Sequence, residues 1–76
     1  MLQELCFIHS RLSADECMKI ILTRNNWEIY SDKTDIVGVF NDCFRIVRKN
    51  GRIVSINPDQ VAAICMMTKA QGIGGV

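Results

Sequence analysis

Asn50-Gly51, set between two β-branched runs, constrains this chain more than any other feature. Cys43 to Lys49 and Arg52 to Ile56 flank it, rich in Ile, Val and Phe. An Asn-Gly pair between such runs favours a two-residue type I′ turn, because both residues tolerate positive φ. A turn of that length fixes the register. Lys49 then faces Arg52, Val47 faces Val54 and Arg45 faces Ile56 on one side of the ribbon. Arg48 faces Ile53, Ile46 faces Ser55 and Phe44 faces Asn57 on the other. Both sides are apolar, so both need cover. A helix can supply one cover; a second subunit or the rest of a barrel can supply the other.

Upstream, the period changes from helical to alternating. Leu2, Leu5, Cys6 and His9 form a helical stripe that favours helix over 1–10, although Cys6-Phe7-Ile8 also suits a short buried strand. Ser13 with Glu16 three positions on forms a capping-box pattern, which predicts a helix from Ser13 to about Arg24, ending at Asn25-Asn26. Trp27 to Tyr30 reads as a strand, Ser31 to Thr34 as a turn, and Asp35 to Phe40 as a second strand. Gly38 inside that strand suggests a bulge, a bend or a close backbone approach. Asn41-Asp42 is turn chemistry. Asn57-Pro58-Asp59 breaks the return strand. Residues 60–67 then suit either a helix capped by Asn57 or a last strand after one helical turn. Trp27, Phe40 and Phe44 are expected in the core.

The chain has 76 residues, of which 49% are hydrophobic. Residues 1–69 read as one small domain and 70–76 as a flexible glycine-rich tail. A chain of about 60 residues buries only about 60% of its unfolded surface. This much apolar residue therefore predicts a homo-oligomer or a protein partner. No run reaches the roughly 18 apolar residues of a membrane helix. No basic stretch followed by an apolar one suggests a signal peptide, so the cytoplasm is the expected compartment. The four cysteines, Cys6, Cys17, Cys43 and Cys65, form no close pair. They read as free thiols, with neither metal nor cofactor expected. His9 is the sole histidine, and no nucleophile–base signature accompanies it, so no enzyme is expected.

The net charge is only +1, yet Arg45, Arg48, Lys49 and Arg52 lie within eight positions. No Asp or Glu occurs between Cys43 and Pro58. Such a cluster suits phosphate, hence nucleic acid or a nucleotide-like anion. Hairpin tips also carry Lys and Arg simply to stay soluble and block edge pairing. Phe44 beside Arg45 offers a stacking surface for a base.

From Asp35 to Met67 the pattern resembles the small Sm-like barrels of the LSm and Hfq proteins. The likeness rests on the preceding helix, on Gly38, on Asp42-Cys43-Phe44-Arg45-Ile46-Val47 and on the Ile53 to Ile64 segment. It implies five curved strands, a ring of subunits joined by strand pairing, and RNA bound near Asn41, Asp42, Phe44 and residues 52–59. Asn57-Pro58-Asp59 stands where that family carries its basic signature. The expectation is thus an α+β chain: an N-terminal helix, then a strongly bent antiparallel sheet or SH3/Sm-like barrel of 4–5 strands. Its expected role is a non-enzymatic binding or regulatory module. The ligand site would comprise Asn41, Asp42, Phe44, Arg45, Arg48, Lys49, Arg52 and Asn57. The alternative is a small regulator or inhibitor, of the bacterial or phage type, that docks on a larger protein by an apolar face or strand edge.

Overall fold

A computed structural model describes residues 1–69; the expected flexible tail at 70–76 lies outside the described residues. Helix α1 (Leu2–Ser10) comes first. Strands β1 (Glu16–Leu22), β2 (Glu28–Asp32), β3 (Ile36–Phe40), β4 (Cys43–Val47) and β5 (Ile53–Ile56) come next. A 3₁₀ turn (Pro58–Gln60) then leads into β6 (Val61–Thr68). The strands form two antiparallel sheets, ordered β2-β1-β6 and β3-β4-β5. The α+β arrangement stands, but the bent sheet or barrel of 4–5 strands becomes two three-stranded sheets, not closed into a barrel.

The two sheets share one core. Met18 and Ile20 of β1, Phe44 and Ile46 of β4, Ile56 of β5 and Val61 of β6 meet Leu5 and Leu12 there. Helix α1 lies against β1, β3 and β4, which places Leu5 where it is fully buried. His9 is buried too, and its Nε2 lies 2.9 Å from the Asp32 carbonyl, in hydrogen-bond contact.

The helix expected from Ser13 to Arg24 is instead the central strand β1. Its capping-box residues do meet. Glu16 Oε1 accepts from the Ser13 N–H at 2.9 Å, and the Ser13 hydroxyl lies 2.7 Å from Asp15 Oδ1. The contacts close a turn, with the Glu16 N–H donating to the Ser13 carbonyl at 3.1 Å. Met18 and Ile20 fit helical and alternating spacing alike. Pairing with β2 and β6 on both sides decides for the strand. Asn25 and Asn26 accordingly form the tip of the β1–β2 hairpin rather than a helix end. Both have positive φ, 59° and 52°, and the Arg24 carbonyl accepts from the Trp27 N–H at 3.3 Å.

Of the two readings of 1–10 the favoured helix is the one formed, over 2–10, and the 3₁₀ turn leading into β6 resolves the C-terminal ambiguity toward a strand. Gly38 makes no bulge: pairing runs evenly from Ile36↔Val47 to Phe40↔Cys43. The chain bends instead at Lys33-Thr34, where Asp32 Oδ1 accepts from the Thr34 N–H at 2.9 Å. Trp27 and Phe40 are 58% and 55% exposed, so of the three aromatics expected inside only Phe44 is core.

Candidate anion site at the β4–β5 hairpin

The hairpin is present, but its register is one residue away from that of a two-residue turn. Val47 pairs with Ile53, Ile46 with Val54, Arg45 with Ser55 and Phe44 with Ile56. The Arg48 N–H donates to the Arg52 carbonyl at 2.8 Å, and the Gly51 N–H to the Arg48 carbonyl at 3.0 Å. Gly51 has φ +87°, whereas Asn50 is not among the residues of positive φ. These are the marks of a three-residue loop, Lys49-Asn50-Gly51, with one left-handed glycine at its end. Asn50 contributes its side chain instead, Oδ1 accepting from the Arg52 N–H at 3.0 Å.

That single step changes which residues share a face. Phe44, Ile46, Val54 and Ile56 now point together into the core, and Arg48 and Arg52 continue their alternation beyond it. Arg45, Val47, Ile53 and Ser55 share the outer side. Arg48, not Lys49, is the residue opposite Arg52.

Arg48 is held from within. Its Nη1 donates to Asp35 Oδ2 at 2.8 Å and also to the Tyr30 carbonyl. Asp35 is only 8% exposed, and the same oxygen accepts from the Ser31 hydroxyl at 2.9 Å. The carboxylate thus ties the start of β3 to the end of β2 and to the β4–β5 hairpin. In the sequence Asp35 looks like an ordinary turn residue. Nothing local marks it, because its cation lies thirteen residues away.

Beside this pair is an open hollow of about 440 Å³, lined by Asp35, Arg48, Lys49, Asn50, Arg52 and Val54. Of these, Lys49, Asn50 and Arg52 belong to or flank the solvent-facing hairpin loop. Among the described residues no carboxylate lies within ion-pair distance of Lys49 or Arg52. Two cations without a carboxylate partner among the described residues and an Asn side chain, beside the neutralised Arg48–Asp35 pair, can hold a small anion such as a phosphate.

The other expected site residues do not gather here. Arg45 stands on the outer face, its guanidinium 4.8 Å from the centre of the Phe40 ring. Phe44 is fully buried, so its ring is unavailable for stacking against a ligand. Asn41 and Asp42 turn β3 into β4 at the opposite end of the sheet, both with positive φ. Five paired residues at about 3.4 Å each put that end roughly 17 Å from the Lys49 loop. Asn57 comes directly after Ile56, the partner of Phe44, and so lies at the Asn41 end. Its Oδ1 accepts from the Asp59 N–H at 2.9 Å, capping the 3₁₀ turn.

Comparison with family models, curated proteins and solved structures finds no match. The described residues contain no helix long and apolar enough to cross a membrane.

Proposed function

We propose that this chain is a small binding module whose β4–β5 hairpin loop takes a phosphate of nucleic acid or of a nucleotide-like ligand. The observation that carries the reading is the hollow beside Lys49, Asn50 and Arg52, where two cations stand without a carboxylate partner among the described residues. Arg48 supports the loop rather than the ligand, because Asp35 already neutralises it. Catalysis is not part of the proposal: His9 is committed to the Asp32 carbonyl. The module is proposed to be homo-oligomeric, with subunits joined along strand edges. β5 pairs only with β4 and β6 only with β1 among the described residues, which leaves one side of each for a neighbour.

Fluorescence anisotropy with a labelled uridine oligonucleotide tests the anion reading. Binding should weaken with salt, since phosphate contacts release counterions, with a slope of about −0.7 per contact on a single strand. The pair Lys49→Glu and Arg52→Glu should abolish it while leaving the thermal midpoint unchanged. Binding that survives the pair, or that ignores salt, refutes the reading.

A second reading has its own observation. Ile36, Phe40 and Ile53 are 72%, 55% and 59% exposed on one sheet face, which favours docking on a protein.

A further inference from the structure

The outer face of β3-β4-β5 is arranged in rows across the strands. Ile36, Val47 and Ile53 form the first row, Gly38, Arg45 and Ser55 the second, Phe40 and Cys43 the third. Gly38 opens a gap in this surface. A Cβ placed there would meet nothing within 4 Å. The result is a shallow pit of about 120 Å³, walled by Ile36, Phe40, Arg45 and Val47. Neither a tight turn nor a close neighbour explains the glycine, because β3 pairs evenly through it.

Charge on this face has one sign. Between residues 36 and 58 the sole carboxylate is Asp42, in the turn at the end of the sheet. Arg45 stands in the middle, laid over the Phe40 ring, with no carboxylate within ion-pair distance among the described residues. Stacking on an aromatic ring holds a guanidinium in place at little further entropic cost to binding.

We propose that this face docks an acidic, apolar peptide segment, with one apolar side chain in the pit over Gly38 and a neighbouring carboxylate on Arg45. This rests on the second reading above and names its partner. A second copy suits the face poorly. A two-fold contact through the same patch would bring Arg45 against Arg45 with no carboxylate to separate them. Nucleic acid suits it poorly as well, because the row of Ile36, Val47 and Ile53 offers a phosphate no donor.

Panning the full chain against a phage-displayed library of random short peptides tests the proposal. Enriched peptides should carry Asp or Glu within two positions of Leu, Ile, Phe or Trp. The best of them, synthesised with a fluorophore, should lose about tenfold in affinity with Arg45→Glu, equivalent to about 1.4 kcal/mol. Gly38→Val fills the pit and should weaken binding at least as much. Valine suits a strand, and Arg45→Glu decides the matter if the Gly38 variant fails to fold. The pair Lys49→Glu and Arg52→Glu should leave this peptide's affinity unchanged. No enrichment, enrichment of basic or uncharged peptides, or undiminished binding by Arg45→Glu overturns the proposal. Sedimentation showing a dimer that Gly38→Val dissociates also overturns it, while leaving protein docking at this face intact with a second copy as the occupant.

Discussion

Arg48 Nη1 and Asp35 Oδ2 lie 2.8 Å apart, a link between the loop of the β4–β5 hairpin and the head of β3. Both side chains are largely shielded, at 29% and 7% exposure. A buried pair adds little over apolar residues of the same shape, yet losing one partner strands the other. Arg48→Met or Asp35→Leu alone should therefore destabilise the fold by about 3 kcal/mol. For a domain of this size that lowers the thermal midpoint by more than about 10 °C. The double change Asp35→Leu with Arg48→Met should cost less than either single one. Urea denaturation of the four proteins, taken as a double-mutant cycle, gives the coupling directly.

The β4–β5 loop predicts a ranking. Gly51 is left-handed at φ +87°, so Gly51→Ala should cost about 1–2 kcal/mol. Asn50 is not in that region, and Asn50→Ala loses only an exposed hydrogen bond to the Arg52 N–H, about 0.5 kcal/mol. A two-residue turn would instead place positive φ on Asn50 and raise its cost. Replacing Asn50 with glycine separates the two geometries. It should destabilise the three-residue loop, because glycine adds freedom to the unfolded chain without relieving strain. Chemical denaturation midpoints read the order.

Acid stability should show the signature of Asp32. Its carboxyl is held down to about 2, first by the Thr34 hydroxyl and then by the Thr34 N–H and Lys69, against an opposing effect of burial. A folded value below the ordinary 3.8 means the stabilisation is complete above that pH. It is lost as pH falls from about 4 through 2. Thr34→Ala should raise the Asp32 value toward the ordinary one and flatten stability across that window. Carbon-detected NMR titration of the carboxyl reports the first effect, and melting curves at successive pH values report the second.

Residues 60–67 suit helix and strand alike, but the lean of 1–10 toward helix, strands β2 to β5 and the existence of the β4–β5 hairpin were legible because local chemistry and tertiary pairing agree there. The β1 segment was not. Ser13 and Glu16 make the same side-chain contact in a turn as they would at a helix start, and Met18, Ile20 and Ile21 suit either period. Only the presence of β2 and β6 on both sides settles it. The candidate site suffered from the same limit at closer range. Asn-Gly marks a turn without saying whether the loop holds two residues or three, and it says nothing of what holds Arg48 beside it. The anchor of Arg48, Asp35, is remote in sequence. The ion pair with Asp35 makes Arg48 scaffold rather than ligand, and one step in register gathers Phe44, Ile46, Val54 and Ile56 onto a single core face, leaving Val47 and Ile53 outside.

Aromatic substitution separates what is core from what is surface. Phe44 is fully buried among Ile46, Ile56 and Leu5, with β3 and β5 paired on either side of its strand. Phe44→Ala should cost about 3–5 kcal/mol, through lost burial and the cavity left behind. A 76-residue domain has only about 4–11 kcal/mol in total, so the loss takes a large share of it and should lower the thermal midpoint by more than about 10 °C. Trp27 and Phe40 sit more than half exposed, and Trp27→Ala or Phe40→Ala should cost less than about 1 kcal/mol. Their effects on binding should differ. Trp27→Ala should leave the anion and peptide affinities unchanged, because Trp27 follows the Asn25-Asn26 turn, just before β2 of the other sheet. Phe40→Ala should release the Arg45 guanidinium from its ring and lower affinity for acidic peptides without shifting the melting curve by more than a few degrees. Equal melting losses for all three aromatics would contradict the burial pattern, and circular dichroism with peptide anisotropy on the same samples distinguishes these outcomes.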